Sequence, residues 1–333
     1  MGIGADTLVN YSVSQIRLDA KIGSDWMIIE TVDVAEPKQF LKEISRQNPR
    51  WKPHPGKWIF RGQRDASWGL QASSLRSTGV DLGLDRELMA PMSTQREQIE
   101  AEYLLLKKFI GTMDRQGLPI PIDYDVFRTI RHRKRSNYLD QFFHTREPWP
   151  PVELFPLMAL AQHYGIPTRL LDWTRNPLVA SYFASKDAAT EMRVNGVSNN
   201  RKLVVWAIHH AFLQDEFDGE GRIIQVITAP AAENPNLDAQ LGLFIIKNPE
   251  YLDLSEPPDT TPLDEHIENR LEDANDEVLR EAPFLYKITL PVNQSCSLMY
   301  LLFNEFMDAS SLFPGYQGAA DAVLERRLWR NAI

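Results

Sequence analysis

The sequence predicts an α+β fold, with helices and strands segregated along the chain. Helical spacing recurs between residues 37 and 183, strand-like apolar runs dominate between residues 202 and 290, and no steady strand–helix alternation links them. In order, "PKQFLKEISRQ" reads as a short helix and "KWIFRG" as a strand with apolar Trp58, Ile59 and Phe60. Thr94 and Glu97 have capping-box spacing, ahead of Ile99, Tyr103, Leu106 and Ile110 on one helical face. "PPVELFPLMALAQHYG" is a second helix, closed by Gly165 and Pro167, and "TRLLDWT" is a short strand. Asn176 caps the next helix, with Pro177 in its first turn and Leu178, Val179, Tyr182 and Phe183 as its apolar face. The strands "KLVVWAI", "RIIQVIT", "GLFIIK" and "FLYKITL" follow, and helices over residues 295–306 and 318–329 end the pattern.

At 333 residues, 43% hydrophobic and 24% charged, the chain has the composition of a globular protein of one large domain or two. Its one cysteine, Cys296, excludes an internal disulfide framework and points to a reducing, cytoplasmic setting. There is no apolar run of about 18 residues and no leader, so no membrane partner is expected. The net charge of −9 is localised: residues 250–281 hold 12 acidic and 2 basic residues, leaving 33 acidic and 34 basic elsewhere. That segment reads as a solvated acidic insertion with one short helix. The opposite run holds Arg128, Arg131, Arg133, Lys134 and Arg135. It is either a solvated helix face or a small anion or nucleic-acid patch, without the aromatic companions of RNA-binding motifs.

Phosphate loops, dinucleotide fingerprints, nucleophile elbows and zinc-binding pairs are all absent, and no metal is predicted. Two stretches carry the remaining chemistry. "WIFRGQRD" sets Arg61, Gly62 and Gln63 at the end of a buried strand, where an arginine fork calls for a planar anion and a glycine permits close backbone approach. "LAQHYGIPTRLLDWT" concentrates Gln162, His163, Tyr164, Thr168, Arg169, Asp172, Trp173 and Thr174 between apolar helices. Some of these polar groups must be buried, and buried polar groups need partners. Each taken singly is as well explained by a structural bond as by a ligand; the cluster points to a site.

"FRGQ", "SSLR" and "AQHYGIPTRLLDWTRNPLVASYFA", with "AQLGLF" and "SSLFPGYQGAAD", resemble the FRG-domain family, common in bacteria and named for its Phe-Arg-Gly triplet. The resemblance spans residues 36–328 as one domain, with residues 1–35 an N-terminal extension and 250–281 the acidic insertion. The same motifs are more distantly similar to ADP-ribosyltransferases of the arginine–serine–glutamate class, which implies a mixed β core with helices preceding and flanking it. It also implies NAD as substrate, and by extension a defence or toxin role with a protein or nucleic-acid target. On that similarity Arg61 holds the pyrophosphate, with Gly62 allowing its approach. Thr174 orders the ribose, Trp173 or Tyr164 stacks on nicotinamide, and Gln240 stands where the class carries its catalytic glutamate. An amide carries no negative charge, so Asp238 or Asp172 is the substitute carboxylate. Three readings follow: an NAD-using transferase, an inactive nucleotide or ADP-ribose binding module, and a nucleic-acid-associated module.

Overall fold

The computed structural model describes residues 29–330 apart from 53–55, 77–79, 82–88, 133–134, 146, 197–199, 212, 214–222, 229–234, 249–252 and 274–283. Nine strands are described: β1 (Ile29–Asp33), β2 (Trp58–Gln63), β3 (Val80–Asp81), β4 (Met89–Ala90), β5 (Leu171–Thr174), β6 (Lys202–His209), β7 (Ile224–Ile227), β8 (Gly242–Lys247) and β9 (Leu285–Pro291). All but the β3–β4 ribbon join one seven-stranded sheet in the order β1-β9-β6-β2-β5-β8-β7. Only β1 and β9 run parallel; the other neighbours are antiparallel, as an α+β fold requires.

The helices are α1 (Pro37–Ile44), α2 (Gln95–Arg115), α3 (Tyr124–His132), α4 (Arg135–Thr145), α5 (Phe155–His163), α6 (Pro177–Asn195), α7 (Pro235–Ala239), α8 (Leu263–Asp273), α9 (Ser295–Asn304), α10 (Ala309–Leu312) and α11 (Tyr316–Trp329). Alternation along the strands divides the core. Trp58 and Phe60 of β2 pack with Val205, Ala207 and Ile288 beneath Val179, Ala180 and Tyr182 of α6. Ile59 points the other way, joining Leu171, Trp173, Val204, Trp206 and Leu243, with Leu263 and Ile267 of α8 in the same cluster. A third cluster sets α2 and α5 against Phe244 and Ile246 of β8. Helix starts follow their caps: Asn176 Oδ1 accepts from Leu178 N at 3.1 Å, and Thr94 Oγ1 from Glu97 N at 3.2 Å.

Three features differ from the sequence expectations. Residues 29–33 of the expected N-terminal extension form β1, in register with β9 from Ile29 opposite Leu285 to Asp33 opposite Thr289. The described part of the acidic segment, residues 253–273, does not project. Gln95 N donates to Glu256 O at 2.6 Å, Leu70 N to Asp264 Oδ1 at 2.7 Å, and Lys247 Nζ pairs with Asp259 at 2.6 Å. Leu263 and Ile267 are fully buried, so its acidic groups serve backbone N–H donors and a lysine while its apolar groups fill core. The basic run is split between α3 and α4; Arg128 lies 3.7 Å from Asp125 and Arg131 3.2 Å from Asp114, while Arg133 and Lys134 fall outside the described residues. Among the described residues, no helix is long and apolar enough to cross a membrane.

Candidate functional site

The site forms where the central sheet splits. β2 and β5 share one ladder pair, Phe60 opposite Thr174, although β2 continues to Gln63 and β5 reaches back to Leu171. Arg61 enters the gap. Its Nη1 donates to Asp172 O at 2.8 Å and lies 3.6 Å from Asp172 Oδ2. The Arg61 side chain is 12% exposed and its Nε has no partner. Burial pushes its pKa down, the Asp172 charge opposes this, and Arg76 adds to the depression. A cleft of about 350 Å³ opens at this point, within the range of small-molecule sites. Arg61 and Asp172 line it from the strands, Val179, Ala180, Phe183 and Asp187 from α6, and Gln240 and Phe313 complete it.

Hydrogen bonds fix these groups from behind. Thr168 donates its hydroxyl to Gln162 Oε1, and Gln162 Nε2 donates to Asp172 Oδ1 at 2.6 Å. His163 also lines the cleft; its Nε2 lies 2.9 Å from Asn236 Nδ2, so with the amide donating the ring is the neutral acceptor. Burial lowers the His163 pKa, against the pull of Asp172. Thr174 Oγ1 donates to the backbone oxygen of Gln240 at 2.6 Å, and Gln240 Nε2 donates to Leu312 O at 3.2 Å. The amide is thereby tied to α10.

Five residues assigned to the site from sequence, Gln63, Tyr164, Thr168, Arg169 and Asp238, do not line the cleft. Gln63 accepts from Trp206 Nε1 at 2.7 Å and donates to Gly69 O at 3.2 Å. Arg169 is buried against Glu102, with Nε 3.0 and 2.8 Å from its two oxygens, and Trp149 and Gln98 donate to the same carboxylate at 2.7 Å each. Thr168 is buried, and its backbone bonds to the Ser73 hydroxyl through both N and O. Trp173 contributes to the cleft wall, and its ring is packed in the core at 3% exposure. Tyr164 is 69% exposed beyond the end of α5, its ring edge-on to His163, and it does not line the cleft. Asp238 is exposed on α7, also outside the lining. Gly62 does line the cleft, but a Cβ on it would stand 1.9 Å from Ala180 O. Its bare backbone admits α6 rather than a phosphate.

Sequence reasoning missed Asp187 and Phe313 and gave Phe183 only a core role. Ala180, Phe183 and Asp187 recur at i, i+3 and i+7 along α6, so following the phase of that helix would have placed them together. Phe313 reaches the cleft from a sequence-remote turn after α10, and no local pattern signals that. Among the described residues, no three His, Cys, Asp or Glu side chains are grouped to hold a metal.

Residues 56–193, which include β2, β5 and all but the last two residues of α6, match the family model of the FRG domain. No curated protein and no solved structure matches the chain.

Proposed function

We propose that this cleft binds NAD as ADP-ribosyltransferase-like proteins do, and breaks the nicotinamide–ribose bond. One observation carries this reading: Arg61, Thr174 and Gln240 come from β2, β5 and the turn before β8, neighbours in the sheet, and line one cleft. Their chain order is that of the arginine, hydroxyl and acid positions of the class that the sequence resembles. At 3.6 Å the Arg61–Asp172 side-chain contact is an ion pair rather than a hydrogen bond, so a pyrophosphate oxygen can take the guanidinium edge. Cleavage leaves positive charge on the ribose, and a fixed negative group lowers that barrier. With an amide at position 240, Asp172 is the carboxylate for this role: it is 63% exposed to the cleft side of the sheet and held by Gln162.

A second reading, binding without turnover, is favoured by one specific feature, the Gln240 amide tied to Leu312. A nucleic-acid partner draws less support, because Arg128 and Arg131 already face Asp125 and Asp114. Nicotinamide release and NAD-induced thermal shift, measured for the native protein, Asp172→Asn and Gln240→Glu, separate the readings. The enzyme reading expects a thermal shift, native turnover, and a loss of roughly 100- to 1,000-fold in Asp172→Asn. Turnover in Gln240→Glu alone supports the binding module. No shift and no nicotinamide from any variant removes NAD.

A further inference from the structure

Asp187 is the one cleft-lining carboxylate that neither the sequence similarity nor the Arg61 network uses. It lies on α6, whereas Asp172 lies on β5, so the two carboxylates belong to different walls. Among the described residues the Asp187 carboxylate has no hydrogen-bond or ion-pair partner, although cations stand close by. Arg64 Nε is held 3.1 Å from Glu191 Oε2 and its guanidinium lies over the Trp68 ring. Glu191 is itself gripped by Arg201, at 2.7 and 3.1 Å. Lys186 Nζ lies 3.8 Å from Glu325 and over the rings of Tyr182 and Phe313. The fold surrounds Asp187 with charge and leaves its lone pairs open. Asp172, by contrast, already contacts Gln162 and Arg61.

We propose that Asp187 is the general base of this cleft, taking the proton of the nucleophile that captures the ribose. The inference rests on the NAD reading above. In the step, the ribose C1′–nitrogen bond breaks and its electron pair leaves with nicotinamide, which departs neutral. An oxygen lone pair of water or of an acceptor hydroxyl forms the new C1′–O bond. The proton of that oxygen passes to Asp187 and then to solvent, so charge and atoms balance. A base needs an open lone pair within reach of the nucleophile and a proton affinity above that of a free aspartate. Asp187 is exposed in the cleft lining, where partial desolvation by the walls raises its pKa while Arg64 and Lys186 oppose the rise, which moves the carboxyl in the useful direction. The other titratable groups of the cleft are Arg61, His163 and Asp172, with Glu191 one turn further along α6.

The test is nicotinamide release across pH for the native protein, Asp187→Asn and Asp172→Asn, each with and without azide, alongside the NAD-induced thermal shift. Azide carries no proton and needs no base. Asp187→Asn should keep the thermal shift, lose turnover in water by roughly 100-fold or more, lose the acid limb of the pH profile, and recover with azide. Asp172→Asn should lose turnover that azide does not restore. Native turnover with an unchanged acid limb in Asp187→Asn overturns the inference and leaves the NAD reading standing. Failure of azide to rescue Asp187→Asn, with its thermal shift intact, also overturns it. A native protein that neither shifts with NAD nor releases nicotinamide overturns both together.

Discussion

Gly62 illustrates how a single residue can be legible and still be misassigned. The sequence marks it as a place for close backbone approach, and the partner proves to be α6, with Ala180 O 1.9 Å from where a Cβ would stand. A helix backbone anchored by its Asn176 cap gives way poorly, so Gly62→Ala should destabilise by about 1–3 kcal/mol. Urea unfolding would show a lower midpoint at unchanged slope; an unmoved midpoint would refute the packing argument. Gln240 carries a caution for its own variant, since Gln240→Glu sets a carboxylate against Leu312 O and loses that bond, at roughly 1 kcal/mol. Asp187 makes a prediction with a definite sign. Its folded pKa lies above the ordinary 3.8, so the folded state holds that proton more tightly than the unfolded chain. Its penalty is therefore absent in acid, below the unfolded value, and grows as pH rises through the raised one. Asp187→Asn should melt higher than native at neutral pH, and the gap should close in acid. Because Asp187 is exposed and only partly desolvated, the gap should be small; a constant gap across pH, by calorimetry, would contradict the desolvation argument. The same variant is expected to lose turnover, so stability and activity oppose each other at this position.

Among elements, the buried Arg169–Glu102 pair ties the segment before β5 to α2. It explains why a polar cluster that pointed to one site resolves into two functions: half of it faces the cleft, and half anchors the helical layer beneath. Glu102→Gln leaves a guanidinium at 2% side-chain exposure without its carboxylate, and should cost roughly 3–5 kcal/mol. The double replacement of Glu102 and Arg169 by leucine and methionine should recover most of that loss, and chemical denaturation of the three proteins measures both steps. If the double variant is no better than the single, the charge pair itself is stabilising. Elements with continuous apolar runs were legible because burial on both faces writes itself into the local sequence: β6, with Leu203 to Ile208 all buried, is the clearest. β1 was not, since "IETVD" is a half-exposed edge strand whose only strand partner among the described residues, β9, lies more than 250 residues away. The acidic segment misled for a related reason. Composition reports the charge of "LDEHIENR" but not that Leu263 and Ile267 enter the core while Asp264 caps Leu70. Arg61, Asp172 and Thr174 line one cleft, and the sequence singles them out because both strand ends bear polar groups where apolar ones belong.

At the scale of the molecule, the family match and the folding unit differ in extent. The match covers residues 56–193, yet among the described residues the only strands of the main sheet within it are β2 and β5. Those two share a single ladder pair, so without their outer neighbours nothing holds the sheet together. β2 is otherwise paired along its whole length with β6, from Trp58 opposite His209 to Gln63 opposite Val204, and β5 with β8, from Leu171 opposite Ile245 to Thr174 opposite Gly242. The core under α6 likewise draws Leu203, Val205, Ile288 and Leu290 from beyond residue 193. Even the cleft needs distant chain, since Gln240 and Phe313 complete it. A fragment of residues 56–193 would keep the FRG motifs but expose the faces of α6, β2 and β5 to water, at about 25 cal/mol for each Å² of apolar surface left uncovered. Such a fragment should lack near-ultraviolet circular dichroism and cooperative unfolding, and should show no thermal response to NAD. Residues 29–330 should show cooperative unfolding and the NAD response. A fragment that melts cooperatively would mean that the two-strand split is stable alone and that β6 and β8 are additions to it, which a single bridge between β2 and β5 does not support.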